Sequence, residues 1–213
     1  MSMLYWHFLR YDRRMQFAPW TLVEAGKTYT AVGELGLCEN GLHASFRAMD
    51  ALKYAPGCIV CRVSLSGERQ VDSDKVCARS RTVLWLADAG LTLHEFACLL
   101  AEQTLVRAAA AGHKTDPRSL AAVAAKRAWL RQEISDEALD EAREAAWAAA
   151  RATYRGTEAA IAEAAARNAA RNSARSAAWT IAGAVHGVLG HSEINADLER
   201  LLLALAPAEG TPA

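Results

Sequence analysis

Two histidines in the first part of the chain have the side-chain chemistry of acid–base or ligand-binding residues. His7 lies in an aromatic, apolar run, and His43 follows the turn dipeptide Asn40-Gly41. An imidazole changes its charge near neutral pH, so it can exchange a proton or bind a ligand. We expect His7 and His43 to approach each other if the strands that carry them are neighbours. The alternative for His43 is a half-buried histidine that bonds to the backbone.

A second candidate set is basic and lies in the last third of the chain. This set, which we call the arginine stripe, consists of Arg167, Arg171, Arg175, Asn168 and Asn172. Its arginines recur every four residues, which places them on one face of a helix. Such a face can bind an acidic protein surface or nucleic acid. The alternative is a solvated helix face, because Glu163 can pair with Arg167 within the helix.

The sequence predicts no metal site and no cofactor. Cys58 and Cys61 form a CxxC, but they lie in an apparent strand, where this spacing sends the two thiols to opposite faces. We expect them to be packed in the interior as free thiols. Asp72 and Asp74 are expected in a solvated loop, since nothing nearby completes the roughly six oxygen ligands that calcium needs. Phosphate loops, nucleophile elbows and His-Glu-x-x-His helices are not present.

Composition narrows the function classes further. The 213 residues include 24 basic and 24 acidic side chains, which leaves no net charge. Indiscriminate nucleic-acid binding is therefore not predicted. No apolar run approaches the roughly 18 residues of a membrane-spanning helix, and the N-terminus lacks the layout of a signal peptide. We expect a cytoplasmic protein with no membrane partner.

These side chains must be positioned by an α+β fold. Strands are predicted over residues 3–11, 28–32, 41–45 and 58–65, and the run 76–86 fits either a strand or a helix. Ser45 is predicted to cap a short helix that ends before Pro56-Gly57. A turn is predicted at Ser66-Gly67-Glu68. Together these elements predict a sheet-containing domain over residues 1–90.

Residues 91–207 are predicted to form an alanine-rich helical domain, followed by a flexible tail at 208–213. Helix starts are indicated by Thr92, Asp116-Pro117, Ser135, Thr157 and Ser192. Alanine favours helices but buries little area, so we expect closely packed helices with Trp129, Trp147, Tyr154, Ile161 and Trp179 supplying most of the bulk.

The N-terminal part resembles a small domain common in phage and prophage proteins. The resemblance covers roughly residues 20–88 and is carried by Gly26-Lys27-Thr28-Tyr29, by Cys38-Glu39-Asn40-Gly41-Leu42-His43-Ala44 and by Asp74-Lys75-Val76-x-Ala78. Leu42 stands where many relatives have Phe, and Ser45 where many have Cys. The alanine-rich part resembles helical extensions attached to this domain in mobile elements, and regions of immunity proteins.

The resemblance implies a mobile-element setting and assigns no catalytic residues. The leading hypothesis is a phage or mobile-element protein that binds and inhibits a host defence protein or complex without catalysis. An anti-CRISPR or other counter-defence factor in the host cytosol is one example. Its contacts would come from the arginine stripe or from exposed aromatic residues. Its partner would be a host protein complex that can itself be associated with nucleic acid.

The alternative hypothesis places function around His43. With Tyr29, Tyr54 and Glu68, the pair His7 and His43 resembles in layout the ADP-ribosyl-transferring folds. That resemblance implies a nucleotide-handling enzyme of the same type, using a cleft around His43. Its site would consist of His43, His7 and Glu68.

Overall fold

The computed structural model describes residues 3–17, 19–152, 158–169, 178 and 189–208. The strands are β1 (Leu4–Leu9), β2 (Thr28–Thr30), β3 (Leu42–Ala44), β4 (Ile59–Val71) and β5 (Val76–Asp88). The helices are α1 (Ala48–Lys53), α2 (Gly90–Ala110), α3 (Pro117–Leu130), α4 (Asp136–Ala152), α5 (Glu158–Ala169) and α6 (His191–Leu203). A sheet followed by helices confirms the predicted α+β class.

Contacts divide the chain into two units. One is Met1–Gly90 together with Leu198–Ala213, and the other is Leu91–Asp197. Helix α6 is therefore shared between the two units. The expected division into 1–90, 91–207 and 208–213 stays a prediction.

All five strands belong to one antiparallel sheet with the order β1-β4-β5-β2, and β3 pairs with another stretch of β5. The two long strands, β4 and β5, form its centre. They are joined by a tight turn in which the amide of Asp72 donates to the carbonyl of Lys75 at 2.9 Å. The run 76–86, ambiguous by its pattern, is a strand because it completes this hairpin.

The sheet buries apolar side chains on both faces of β1. Tyr5 and Leu9 belong to a core cluster that includes Cys61 and Val63, and His7 shares their face by alternation. On the opposite face, Trp6 is buried and its Nε1 donates to Glu199 at 3.1 Å. Burial on both faces explains why β1 is an almost continuous apolar run rather than an alternating one.

Two local predictions in this unit are wrong. The segment Ser66-Gly67-Glu68 is not a turn: β4 continues through it, and the register with β5 shifts between Ser66 and Arg69. Gly67 has a φ of +77° there. The glycine that suggested a turn therefore allows a β-bulge instead. Ser45 does not cap α1 either, because its amide and carbonyl exchange backbone hydrogen bonds with Trp6.

The N-terminus of α1 is capped by a side chain that is distant in sequence. Its N-cap residue, Arg47, makes no side-chain capping bond. Instead, the amide of Ala48 donates to Oε1 of Glu199 at 3.2 Å. One carboxylate thus satisfies both a helix N-terminus and the indole of Trp6, although it lies far away in sequence.

Several helix signals are confirmed. Asp116 accepts the amide of Arg118 at 3.0 Å, and the Ser135 hydroxyl accepts the amide of Ala138 at 3.3 Å. In contrast, α2 begins two residues before Thr92, and Ser192 lies inside α6 rather than before it. The predicted helix start at Thr157 and most residues of the arginine stripe lie outside the described residues.

The helices of the second unit pack through small side chains. Ala122, Leu139 and Ala146 form a buried cluster against which Trp129 packs. Because two of these residues are alanines, their helices can approach each other closely, as expected. Trp147 is exposed, contrary to the prediction that it fills the interior. Among the helices in the described part of the chain, none has the length and apolar character to cross a membrane.

Candidate functional site

A cleft of about 790 Å³ opens on the sheet-containing unit. Strands β1, β2 and β3 contribute to its walls, together with the segments that precede β2 and β3. Its volume lies in the range typical of small-molecule sites. The cleft is lined by His7, Tyr29, His43, Tyr54, Lys75 and Arg81, among other residues.

Arg81 is the most unusual of these lining residues. It lies on β5, opposite Leu65 of β4 and Tyr29 of β2, and only 3% of its surface is exposed. Its Nη1 donates to the carbonyl of His43 at 2.8 Å. Its Nε is buried and has no hydrogen-bond partner within the described part of the chain. The structure therefore holds in the interior a guanidinium that lines a cleft and whose Nε has no partner among the described residues.

Among the described residues, no carboxylate pairs with this buried charge. Burial lowers the pKa of Arg81, and the groups that oppose this effect are Cys61 and Tyr29 rather than an acid. Arginine still remains protonated at neutral pH. Among the lining residues that the structure describes, Glu39 is the only acid, and it is exposed. The interior of the cleft therefore carries positive charge that an anion would neutralise.

His43 is a half-buried histidine that bonds to the backbone. Its Nε2 accepts the amide of Cys38 at 3.2 Å. Burial lowers the pKa of His43, Lys75 and Arg81 lower it further, and a hydrogen bond with the backbone of Gly41 partly opposes them. A neutral ring bonded in this way holds the loop before β3 in place. The geometry favours a positioning role for His43 over proton transfer.

His7 has a different environment. It lines the same cleft as His43, and part of its surface is exposed to solvent. Burial is the main reason that its pKa lies well below the usual value, and the charges of Arg81 and His43 lower it further. A bridge between Trp6 and Ser45 links β1 to the end of β3, and both histidines line one cleft. A neutral imidazole in this place can accept a hydrogen bond or a proton.

The two tyrosines and the lysine are held by their own contacts. The Tyr29 hydroxyl donates to the carbonyl of Leu22 at 3.1 Å, and the Tyr54 hydroxyl donates to Asp74 at 2.8 Å. The ammonium of Lys75 lies 4.8 Å from the centre of the Tyr54 ring. Its pKa is raised, mainly by a hydrogen bond with the side chain of Cys38. Lys75 therefore adds a second permanent cation to the cleft.

Glu68 does not join these residues. It lies on the bulged part of β4, is exposed, and pairs with Arg79 at 2.8 Å. It is not among the residues that line the cleft. Glu68 therefore lies apart from the two histidines with which we expected it to act.

The arginine stripe falls largely outside the described residues. Arg171, Asn172 and Arg175 are not among the described residues, whereas Arg167 belongs to α5. Asn168 is 7% exposed, so it does not have the accessible position expected of a partner contact. The stripe as a whole stays a prediction.

The cysteines and acids form no metal centre in the described part. All five cysteines are free thiols, and the described residues contain no group of three or more His, Cys, Asp or Glu side chains that could hold a metal ion. Cys61, Cys77 and Cys98 are buried, whereas Cys38 is exposed and lines the cleft.

Sequence reasoning missed Arg81. The run Arg79-Ser80-Arg81-Thr82 resembles an exposed strand edge, because polar residues occupy both alternating positions. The available signal was the position of Arg81 two residues before Val83, which places both on one face of a strand. Only the pairing of that face with Leu65 reveals that it is buried.

The comparisons with known proteins concern this part of the chain. Residues 8–95 match a family model described as "Domain of unknown function (DUF7666)". The chain therefore contains a small domain of unknown function, and the match includes His43, Lys75 and Arg81 and begins one residue after His7. No curated protein and no solved structure matches the chain.

Proposed function

We propose that the sheet-containing domain binds a phosphate-bearing ligand in the cleft, with Arg81 as its anchor. The observation that carries this proposal is the buried guanidinium, which has no acidic partner and an unsatisfied Nε. A buried charge without a counter-ion destabilises a fold by several kcal/mol. An anionic ligand removes that penalty on binding.

Phosphate fits the surrounding groups. A guanidinium presents parallel N–H donors that match phosphate oxygens, and an ammonium binds phosphate as a point charge. Lys75 lines the same cleft as Arg81, and neutral His7 adds a further polar contact. Two cations and one exposed acid favour a ligand with more than one negative charge.

His7 also supports a second candidate, which is a nucleotide-handling enzyme of the ADP-ribosyl-transfer type. His7 lines the cleft, and its low pKa keeps the imidazole unprotonated at neutral pH, which is the form that a proton acceptor needs before the reaction. Glu68 takes no part in this version, because it does not line the cleft. The residues proposed for such chemistry are His7 as the proton acceptor and Arg81 as the phosphate anchor.

Inhibition of a host defence complex by a phage or mobile-element protein is a separate proposal. It rests on the arginine stripe and on the resemblance of the N-terminal part to phage domains. Alanine replacement of Arg167, Arg171 and Arg175 together tests it. Loss of partner co-purification with an unchanged melting temperature supports the proposal, and unchanged co-purification contradicts it.

Melting measurements with and without inorganic pyrophosphate test the ligand proposal. Wild-type protein should melt at a higher temperature with pyrophosphate, because a ligand that binds only the folded state stabilises it. Arg81→Met should lose this increase while the free variant melts no lower than wild type, since a buried unpaired charge has been removed.

The matched control is Arg131→Met, which removes a guanidinium that pairs with Glu133 on the surface of the other unit. It should keep the full response to pyrophosphate. A wild-type protein that does not respond to pyrophosphate, or an Arg81→Met variant that responds normally, contradicts the proposal.

A further inference from the structure

We infer that the ligand is a nucleotide whose base stacks on Phe17, an exposed residue that lines the same cleft as the two cations. This inference rests on the proposed phosphate site and adds the class of molecule that carries the phosphate. It depends on the segment between β1 and β2, which we call the aromatic loop and define as residues 11–17 and 19–23.

The aromatic loop is held in place by backbone hydrogen bonds. The amide of Met15 donates to the carbonyl of Thr21 at 3.0 Å, and the amide of Val23 donates to the carbonyl of Arg13 at 2.8 Å. Arg14 and Leu22 form an antiparallel bridge between its two arms. The two described arms of the loop are therefore fixed to each other, and they lead to its tip.

Phe17 lies at this tip. Its side chain lines the cleft, yet the residue is 75% exposed. Val32, which follows β2, also lines the cleft and is 89% exposed. Two apolar side chains from separate segments thus meet water at the mouth of a cleft whose interior is cationic. Exposed apolar groups that converge on a cleft indicate a surface that a ligand covers.

The separation of charge and apolar surface selects the ligand. A phosphate alone would satisfy Arg81 and Lys75 but would leave Phe17 in water. A nucleotide joins an anionic group to a flat aromatic base through a ribose, and a volume of about 790 Å³ accommodates it. Phenylalanine stacks on any base, because every base presents a π-face.

Tyr11 provides a matched control in the same loop. It is 82% exposed, carries a ring of similar size, and is not among the lining residues. Removing its ring should change the surface of the loop by as much as removing that of Phe17. Any difference between the two variants then reports on the cleft.

The test is isothermal titration calorimetry of the full chain with AMP, GMP and ribose 5-phosphate. These compounds share the phosphate and the ribose, and differ in the base. Wild-type protein should bind AMP and GMP at least about fivefold more tightly than ribose 5-phosphate, as expected for one stacked base. Phe17→Ala should lose this advantage and keep its affinity for ribose 5-phosphate. Phe17→Trp and Tyr11→Ala should retain the advantage.

The outcomes separate the two proposals. Equal binding of AMP and ribose 5-phosphate by wild-type protein, or an unchanged advantage in Phe17→Ala, overturns the stacking inference and leaves the phosphate site standing. If neither nucleotides nor ribose 5-phosphate nor pyrophosphate bind, the phosphate site itself is refuted and the inference falls with it.

Discussion

The Nη1 atom of Arg81 donates a hydrogen bond to the backbone carbonyl of His43 at 2.8 Å. This bond joins the side chain of a central strand to the backbone of β3, which pairs with a different stretch of the same strand. The contact therefore fixes β3, which lines the cleft, to β5. It also uses only one nitrogen of the guanidinium, and Nε has no partner in the described part of the chain.

Gly41 is required by the close packing behind this wall. An added Cβ would lie 2.2 Å from Sγ of Cys77, and φ at Gly41 is +134°. We predict that Gly41→Ala lowers the free energy of unfolding by about 2–5 kcal/mol, because a steric clash adds to backbone strain. Urea denaturation measures this change.

The control for that variant is Gly26→Ala, where φ is +77° but nothing lies within 4 Å of an added Cβ. It should cost only about 1 kcal/mol. Equal losses in the two variants would mean that the backbone conformation alone, and not the contact with Cys77, requires glycine at position 41.

His7 should make the fold sensitive to acid. Its pKa in the folded protein lies well below the usual value, so at mildly acidic pH the unfolded chain binds a proton that the folded chain does not. Stability is then fully present above a pH of about 6.5 and is lost as the pH falls below it. We predict that His7→Gln makes this loss less steep.

The measurement is the free energy of unfolding of wild type and His7→Gln at several pH values from about 5 to about 8, the range that spans the ordinary titration of histidine. His43 also has a lowered pKa, so part of the acid sensitivity should remain in the variant. Curves that run parallel over the whole range would contradict the assignment to His7.

Glu199 should contribute more than an ordinary surface acid. Its Oε1 accepts hydrogen bonds from the indole of Trp6 and from the amide of Ala48. We predict that Glu199→Ala lowers stability by about 1–3 kcal/mol, since it leaves an indole and a helix N-terminus unsatisfied. Glu199→Gln keeps an acceptor and should lose less, as thermal melting can show.

The same helix provides the comparison. Glu193 pairs with Arg107 on an exposed surface at 2.6 Å, and such pairs contribute about 1 kcal/mol or less. Glu193→Ala should therefore change the melting temperature only slightly. An effect as large as that of Glu199→Ala would show that loss of charge on α6, rather than loss of the two bonds, destabilises the protein.

Lys126 should destabilise the helical unit at neutral pH. It is fully buried, its Nζ has no hydrogen-bond partner in the described part, and it lies 3.7 Å from the centre of the Trp129 ring. Burial lowers its pKa to about 8. We predict that Lys126→Met raises the free energy of unfolding by roughly 1–3 kcal/mol at pH 7.

The pH dependence checks the cause. The unfolded chain keeps its lysine proton up to a pH of about 10.5, so Lys126 contributes a rise in wild-type stability between about pH 8 and that value, relative to Lys126→Met. Lys126→Met should lack this rise, and Lys114→Met, at an exposed position, should behave like wild type. A Lys126→Met variant less stable than wild type at pH 7 would show that the contact with Trp129 outweighs the cost of burial.

Short-range chemistry made much of the architecture predictable from the sequence. Asp116 and Ser135 were recognised as helix caps because their partners lie two or three residues away. The opening strand was recognised from its aromatic and apolar run. The same reasoning failed at Ser45 and Gly67, where bonds to β1 and β5 outweigh the local signal.

By itself, the amino-acid sequence determined the α+β class, most of the element types, and the choice of His7 and His43 as candidate residues. Tertiary structure alone decided that Arg81 is buried without an acidic partner, that Glu68 lies apart from the histidines, and that Phe17 reaches the mouth of the cleft. The physical reason is distance along the chain. A cap or a turn is completed within a few residues, whereas the charge balance of a cleft depends on groups that only strand pairing brings together.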